Sequence, residues 1–193
     1  MAVPRTPEAF FGSYLPIRLG KVSDGLAGKS SPGSIVFLIG QSQVWCVRLR
    51  DGSFEFTPAD ADDAIVRVSL DPASFEPLFV RSAERDELAG GNPEQRLRVI
   101  RALATDPSRA NLVRTAAGAV AIVVSEGDRE HRVTITPGAR EPGDATCTLR
   151  LGMGELVDLQ AGRAQPLQLM MTGQLVIQGD AQIVMSLAAS LAG

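Results

Sequence analysis

Residues 145–180 read ATCTLRLGMGELVDLQAGRAQPLQLMMTGQLVIQGD, and their apolar rhythm changes three times. The opening ATCTLRL alternates with period 2, the pattern of a strand with one buried face. The spacing then becomes helical through GELVDLQ, with Leu156 and Leu159 on one side and Gly162 placed to close the helix in a left-handed conformation. QLVIQ alternates again, bracketed by Gly173 and Gly179, which allow tight turns. It is short and too polar at its ends to be buried on both faces, so it reads as an edge strand. From Leu169 to Leu187 the chain gathers apolar side chains rather than the groups of an active site. Met170, Met171 and Met185 are flexible and polarizable, suited to lining a surface that adapts to different apolar shapes.

The strand-to-helix unit has a counterpart upstream. DAIVRVSLDPASFEPL (63–78) aligns without a gap on DATCTLRLGMGELVDL (144–159), and Asp63, Ala64, Val66, Val68, Leu70, Phe75 and Leu78 agree in character with Asp144, Ala145, Cys147, Leu149, Leu151, Leu156 and Leu159. A helix and a meander precede each unit, and this repeated order indicates an internal duplication. The expected domains are a truncated half at 1–91 and a half with a complete C-terminal strand and helix at 92–193. The charged RSAERDELAGG (81–91) stands where the second half has its apolar tail.

In the first half, Thr6 and Pro7 open a short helix carrying Phe10, Phe11, Tyr14 and Leu15, which Pro16 is expected to halt. Residues 20–34 are rich in Gly and Ser and read as a loop. IVFLI, VWCVRL, SFEFT and AIVRVSL then predict a four-stranded antiparallel meander with Trp45, Val47, Leu49, Phe54 and Phe56 on one face. Asp71 and Pro72 open a helix with Phe75, Leu78 and Phe79 on a single face; Phe75 and Phe79, with Phe10 and Phe11, are core first and ligand wall second. Asn92, Pro93 and Gln95 start another helix, with Leu97, Ile100 and Leu103 inward and Arg96, Arg98 and Arg101 outward; Asp106 and Pro107 start one more, to about Arg114. VAIVV and HRVTIT follow as strands. The order of these runs makes the fold class α+β, with one side of the sheet apolar.

Composition narrows the function. At 193 residues and 45% hydrophobic content the chain builds an ample core, and a net charge of −3 with scattered Lys and Arg argues against nucleic acid. No apolar run reaches the roughly 20 residues of a bilayer span, and MAVPRTPEAFF lacks the features of a signal peptide, so a cytoplasmic location is expected. Cys46 and Cys147 lie in strands, where a free thiol acts as a small apolar side chain; with one histidine they make a poor zinc set, and no metal or other cofactor is expected. His131 shares a face with Val133 and Ile135 and reads as structural. Asp144 and Asp180 read as turn or cap residues.

Trp45 with Val47, then Gly162, Pro166, Met170 with Met171, Gly173, Leu175, Ile177, Gly179 and Asp180 give the chain its resemblance to the sterol carrier protein 2 (SCP2) family. The resemblance covers 144–187 most specifically and 6–80 more weakly, as one full and one truncated copy. It implies a mixed, mainly antiparallel sheet of five strands covered by helices on one face, enclosing an apolar tunnel for a sterol, fatty acid or acyl-CoA. The chain departs from the family in placing the Trp in the first copy, with His131 in the matching strand of the second, and in giving the first copy no final strand. The second copy is therefore the one expected to hold ligand, with the first as partner sheet or cover.

The expected activity is non-catalytic binding or transfer of a lipid or other hydrophobic small molecule. Leu156, Leu159, Leu167, Leu169, Met170, Met171, Leu175, Ile177 and Met185 are expected to line the tunnel, so that Met171→Asp would abolish uptake. The alternative is a protein-interaction or scaffold module with a filled core, accessory to lipid or isoprenoid quinone metabolism and so bound to a protein partner. The arginines at 96, 98, 101, 109 and 114 read first as a solvated helix face, with transient contact with a membrane surface during lipid delivery as the second reading.

Overall fold

The structure, a computed structural model, describes residues 2–20, 26–88 and 102–185. The first helix, α1, runs as α-helix Pro7–Ala9, a π-helical turn Phe10–Tyr14 and α-helix Leu15–Gly20. Thr6 caps its start by accepting from the Ala9 N–H. Pro16 does not halt it. The wide turn just before Pro16 moves the carbonyls that its ring would meet in an unbroken α-helix, so the chain continues far enough to bury Leu19.

Strands β1 (Ser34–Ile39), β2 (Gln43–Arg50) and β3 (Ser53–Thr57) form the expected antiparallel meander. The fourth strand, β4 (Ala64–Leu70), departs from it: it returns to the far side of β1 and pairs there in parallel, Phe37 opposite Val68 and Ile39 opposite Leu70. Residues 58–63 carry the chain back. Arg48 holds Asp63 at 2.6 Å and Arg67 holds Asp60 at 2.9 Å, both from the sheet face opposite α1.

Helix α2 follows as Pro72–Phe75, a second π-turn Glu76–Val80 and Arg81–Leu88. The expected boundary at 91 and the helix opening at Asn92 lie outside the described residues. After it come a helical stretch over 102–105, with Leu103 buried, and α3 (Pro107–Thr115), capped by Asp106, which accepts from the N–H groups of Ser108 and Arg109. The second half consists of β5 (Val120–Glu126), β6 (Arg129–Pro137), β7 (Cys147–Gly152), α4 (Met153–Gln160), α5 (Pro166–Met171), β8 (Leu175–Gly179) and a helical stretch over 181–185.

All eight strands form one sheet in the order β3-β2-β1-β4-β6-β5-β7-β8. Each half has one parallel pair, β1 with β4 and β5 with β7. The halves differ in which strand they lack among the described residues. The first has no strand after β4, and the second has no counterpart of β3. β4 fills that place by pairing antiparallel with β6, from Val66 opposite Pro137 to Leu70 opposite Val133. The expected halves therefore share one sheet, and one buried cluster joins Phe11, Phe37 and Trp45 to Val120, Cys147 and Ile183.

The helices cover a single face. Period 2 puts Trp45, Val47, Phe37, Val66, Val133, Ile122, Leu149 and Ile177 on it, while Arg48, Arg67, Thr134, Arg132 and Arg150 take the other. Burial opposes ionisation of Asp60, but the Arg67 hydrogen bond, the Ala61 N–H and the Arg67 charge together outweigh it and hold the carboxyl below its usual 3.8. A lowered carboxyl contributes stability that is present above 3.8 and lost as pH falls through the folded-state value. Asp60→Asn is expected to flatten the acid limb of a Tm-against-pH profile below about pH 4 and to lower Tm slightly at pH 7, because the carboxylate is half exposed. An unchanged acid limb would show that the pair does not contribute.

Candidate functional site

The second half carries its apolar site between the sheet and α2, α4 and α5. Helix α4 ends as its sequence predicts: Gly162 has φ 69°, its N–H reaches Leu159 O at 3.1 Å, and Arg163 N–H reaches Asp158 O at 2.8 Å. Gly173, φ 73°, closes α5 in the same way with Met170 and Leu169 carbonyls as acceptors. Gly179, φ 93°, turns the chain out of β8 where a Cβ would strike the Thr146 carbonyl oxygen.

These devices place Leu156, Leu159, Leu169 and Leu175 in one cluster with Leu78, Val124, Leu151, Met153 and Ala164. Ile177 packs with the larger cluster, at the edge of the sheet. Four other expected lining residues lie elsewhere. Leu167 is 66% exposed, Met170 41%, Met171 82% and Met185 66%, so they face outward while Leu169 alone anchors α5.

Ile177 continues into a row whose other members, Leu149, Ile122 and Val133, are not among the expected lining residues. Ile177 lies opposite Leu149, Leu149 opposite Ile122 and Ile122 opposite Val133, which makes one row across β8, β7, β5 and β6. Every member of the row is only half-buried, although it crosses the helix-covered face. Val124, His131, Leu151 and Leu175 on one side of it are buried; on the other Val120 and Cys147 are buried, Ile135 is half-buried and Gly179 exposed. The row spans three inter-strand steps, roughly 14 Å. Above it α4 lies on β5 and β7 with no side chain fully buried. Phe79, half-buried, touches both apolar clusters. Val133 was recognisable from HRVTIT as inward-facing; the continuous run VAIVV hides which of its residues share that face.

Polar contacts fasten α2, from the first half, over this site. Arg81 Nη1 donates to both carboxylate oxygens of Glu126 at 2.8 and 3.0 Å, and Ser82 Oγ donates to Gln160 Oε1 at 3.1 Å. At the other end of α2, Arg132 N–H donates to Ser74 Oγ at 3.3 Å. His131 is buried with Nε2 3.4 Å from Glu126 Oε2. Cys46 and Cys147 are both buried free thiols. Burial, then the nearby Asp180 charge, pushes the Cys147 thiol up and keeps it protonated. Among the described residues no group of three or more His, Cys, Asp or Glu is placed to hold a metal ion, and no helix is long and apolar enough to cross a membrane.

An α+β sheet with helices on one face and an apolar floor in its second half is the class of protein these features define. Residues 99–192 match the SCP-2 sterol transfer family, and this part of the chain is a domain of that family. Solved structures similar to the chain include sterol carrier protein 2 of Yarrowia lipolytica in its apo form, 20% identical, covering 48% of this chain and 88% of that one, with a TM-score of 0.35. The palmitated SCP2L2 of Aedes aegypti is 16% identical, covers 52% and 94%, and has a TM-score of 0.39. The UbiJ-SCP2 ubiquinone synthesis protein is 20% identical, covers 61% and 96%, and has a TM-score of 0.34. The search of curated proteins returned no match.

Proposed function

We propose that the second half binds a hydrophobic small molecule, a sterol or an acyl chain, without chemical conversion, and that the chain serves to carry it. The observation that carries this reading is the half-buried row Ile177, Leu149, Ile122 and Val133, in which even the inner members Ile122 and Leu149 stay reachable although Val124 and Leu151 on one side and Val120 and Cys147 on the other are buried. In a close-packed interior the middle of a covered sheet is its driest part. A middle row that stays reachable marks a groove under α4, and apolar ligand area placed there gains roughly 25 cal/mol per Å². Membership of 99–192 in the SCP-2 sterol transfer family supports the same reading.

Ile122→Trp would fill the groove at its centre. Uptake of a fluorescent fatty acid is expected to weaken about ten-fold or more, a loss of at least about 1.4 kcal/mol, with Tm moved by only a few degrees. Met171→Asp is expected to leave uptake unchanged, since that side chain is 82% exposed; this reverses the expectation drawn from the sequence. Extraction of the purified protein followed by lipid mass spectrometry would show a stoichiometric lipid. An empty protein whose fatty-acid uptake is indifferent to Ile122→Trp would favour the interaction-module reading instead.

A further inference from the structure

The two edges of the sheet are built differently. At β3, Glu55 sits beside Arg50 at 3.7 Å and opposite Arg48, so charge guards the strand. β8 itself carries no charge: from Ala164 to Met185 the only charged residue is Asp180, and the nearest cation, Arg150 of β7, donates to Gln178 at 3.3 Å and pairs with Glu130 at 2.8 Å on the inner side of the strand. Five of the seven large apolar side chains exposed among the described residues lie in this same stretch, namely Leu167, Met170, Met171, Val176 and Met185.

The backbone of β8 is equally open. Asp180 N–H donates to Thr146 O at 3.0 Å, and the register continues with Gln178 opposite Thr148 and Val176 opposite Arg150. Because antiparallel ladders alternate, Val176 and Gln178 turn their N–H and C=O groups toward β7, and Leu175 and Ile177 turn theirs away from the sheet. No described strand pairs with that outer side.

We propose that a second copy of this chain docks here, its β8 antiparallel to the first across a two-fold axis at Ile177. In that register Ile177 faces the same residue of the second copy and the two exchange both backbone bonds. An uncharged edge meets itself without like-charge repulsion, whereas the charged β3 edge does not offer this. The apolar side chains also match. Antiparallel pairing sets the start of one β8, reached through α5, beside the end of the other, which leads into 181–185. Both flanking helices lie on the covered face, because Leu169 packs with Val124 and Ile183 lies in the cluster of Val120 and Cys147. Leu167, Met170 and Met171 of each copy thus come beside Met185 of the other. On the opposite face Val176 stands across from Gln178, which brings the two Val176 side chains to the axis. The half-buried rows of the two copies then meet end to end at Ile177.

Sedimentation velocity of the full chain over a wide concentration range is expected to show a monomer–dimer equilibrium. Val176→Lys and Met171→Glu should each weaken it by about ten-fold or more, with far-UV circular dichroism and fatty-acid uptake unchanged. The double variant V176C/Q178C should form an oxidised dimer linked between positions 176 and 178 of different copies, identified by peptide mapping. A chain that is monomeric throughout would overturn the proposal, as would a dimer indifferent to both charge variants and not cross-linked at these positions. Monomers that sediment with phosphatidylcholine vesicles through Met171 would overturn it in favour of a lipid surface. None of these outcomes depends on whether the groove carries lipid.

Discussion

A chain cut to residues 99–193, which contains the whole SCP-2 sterol transfer family match, is expected not to fold as a soluble monomer. This segment supplies β6, β5, β7 and β8 but leaves β6 without β4, its partner from Val66/Pro137 to Leu70/Val133. The bare edge would carry Val133 and Ile135, stripped of Leu70 and Val68, and unpaired backbone along its length. Such an edge recruits other chains. The cut also removes Leu78 and Phe79, which wall the apolar site, and the Arg81–Glu126 and Ser82–Gln160 ties. Expression of the fragment followed by size-exclusion chromatography and circular dichroism would check this; the expected result is aggregate without a cooperative melt. A sharp melt from a monomeric fragment would mean that the first half is dispensable to the second.

Phe11→Ala should be the most damaging single substitution in the first half. Phe11 is 1% exposed and its ring lies 5.0 Å from Phe37, 5.7 Å from Trp45, 5.5 Å from Phe10 and 6.2 Å from Phe75. Removing it opens a cavity bounded by other rings, which collapse poorly around a gap. The expected loss is about 3–5 kcal/mol, and for a chain of this size a fall in Tm of roughly 10 °C or more. Because the Phe11 cluster extends to Val120, Cys147 and Ile183, both halves should melt together at the lowered temperature. Two separate transitions, with only one shifted, would show that the shared core does not couple them.

Much of this molecule is legible in its sequence where the relevant interactions are local. Period 2 identifies the strands, and Gly162 announces the end of α4 because a left-handed residue there satisfies the last carbonyls closely; the spacing predicts no helix at α5, and Gly173 reads only as a turn. Leu156, Leu159, Leu169 and Leu175 come together as their spacing implies. Leu167, Met170, Met171 and Met185 do not join them. A six-residue helix such as α5 spans less than two turns, too few for apolar residues alone to mark which side faces in.

Local patterns also say nothing of partners distant in the chain. That β4 crosses to β1 and then offers its other edge to β6 follows from pairing between residues far apart, and the row from Ile177 to Val133 likewise exists only once β8, β7, β5 and β6 stand in register. By itself the sequence determined the strands, the helices apart from α5, the glycine that closes α4 and which faces are apolar, all set by steric and hydrogen-bonding preferences within a few residues. Only the tertiary structure decided that the two halves share one sheet, which apolar residues stay half-open beneath α4 and which turn outward beside β8. Those outcomes depend on how whole elements stack, and stacking responds to the summed shape of many side chains rather than to any single stretch.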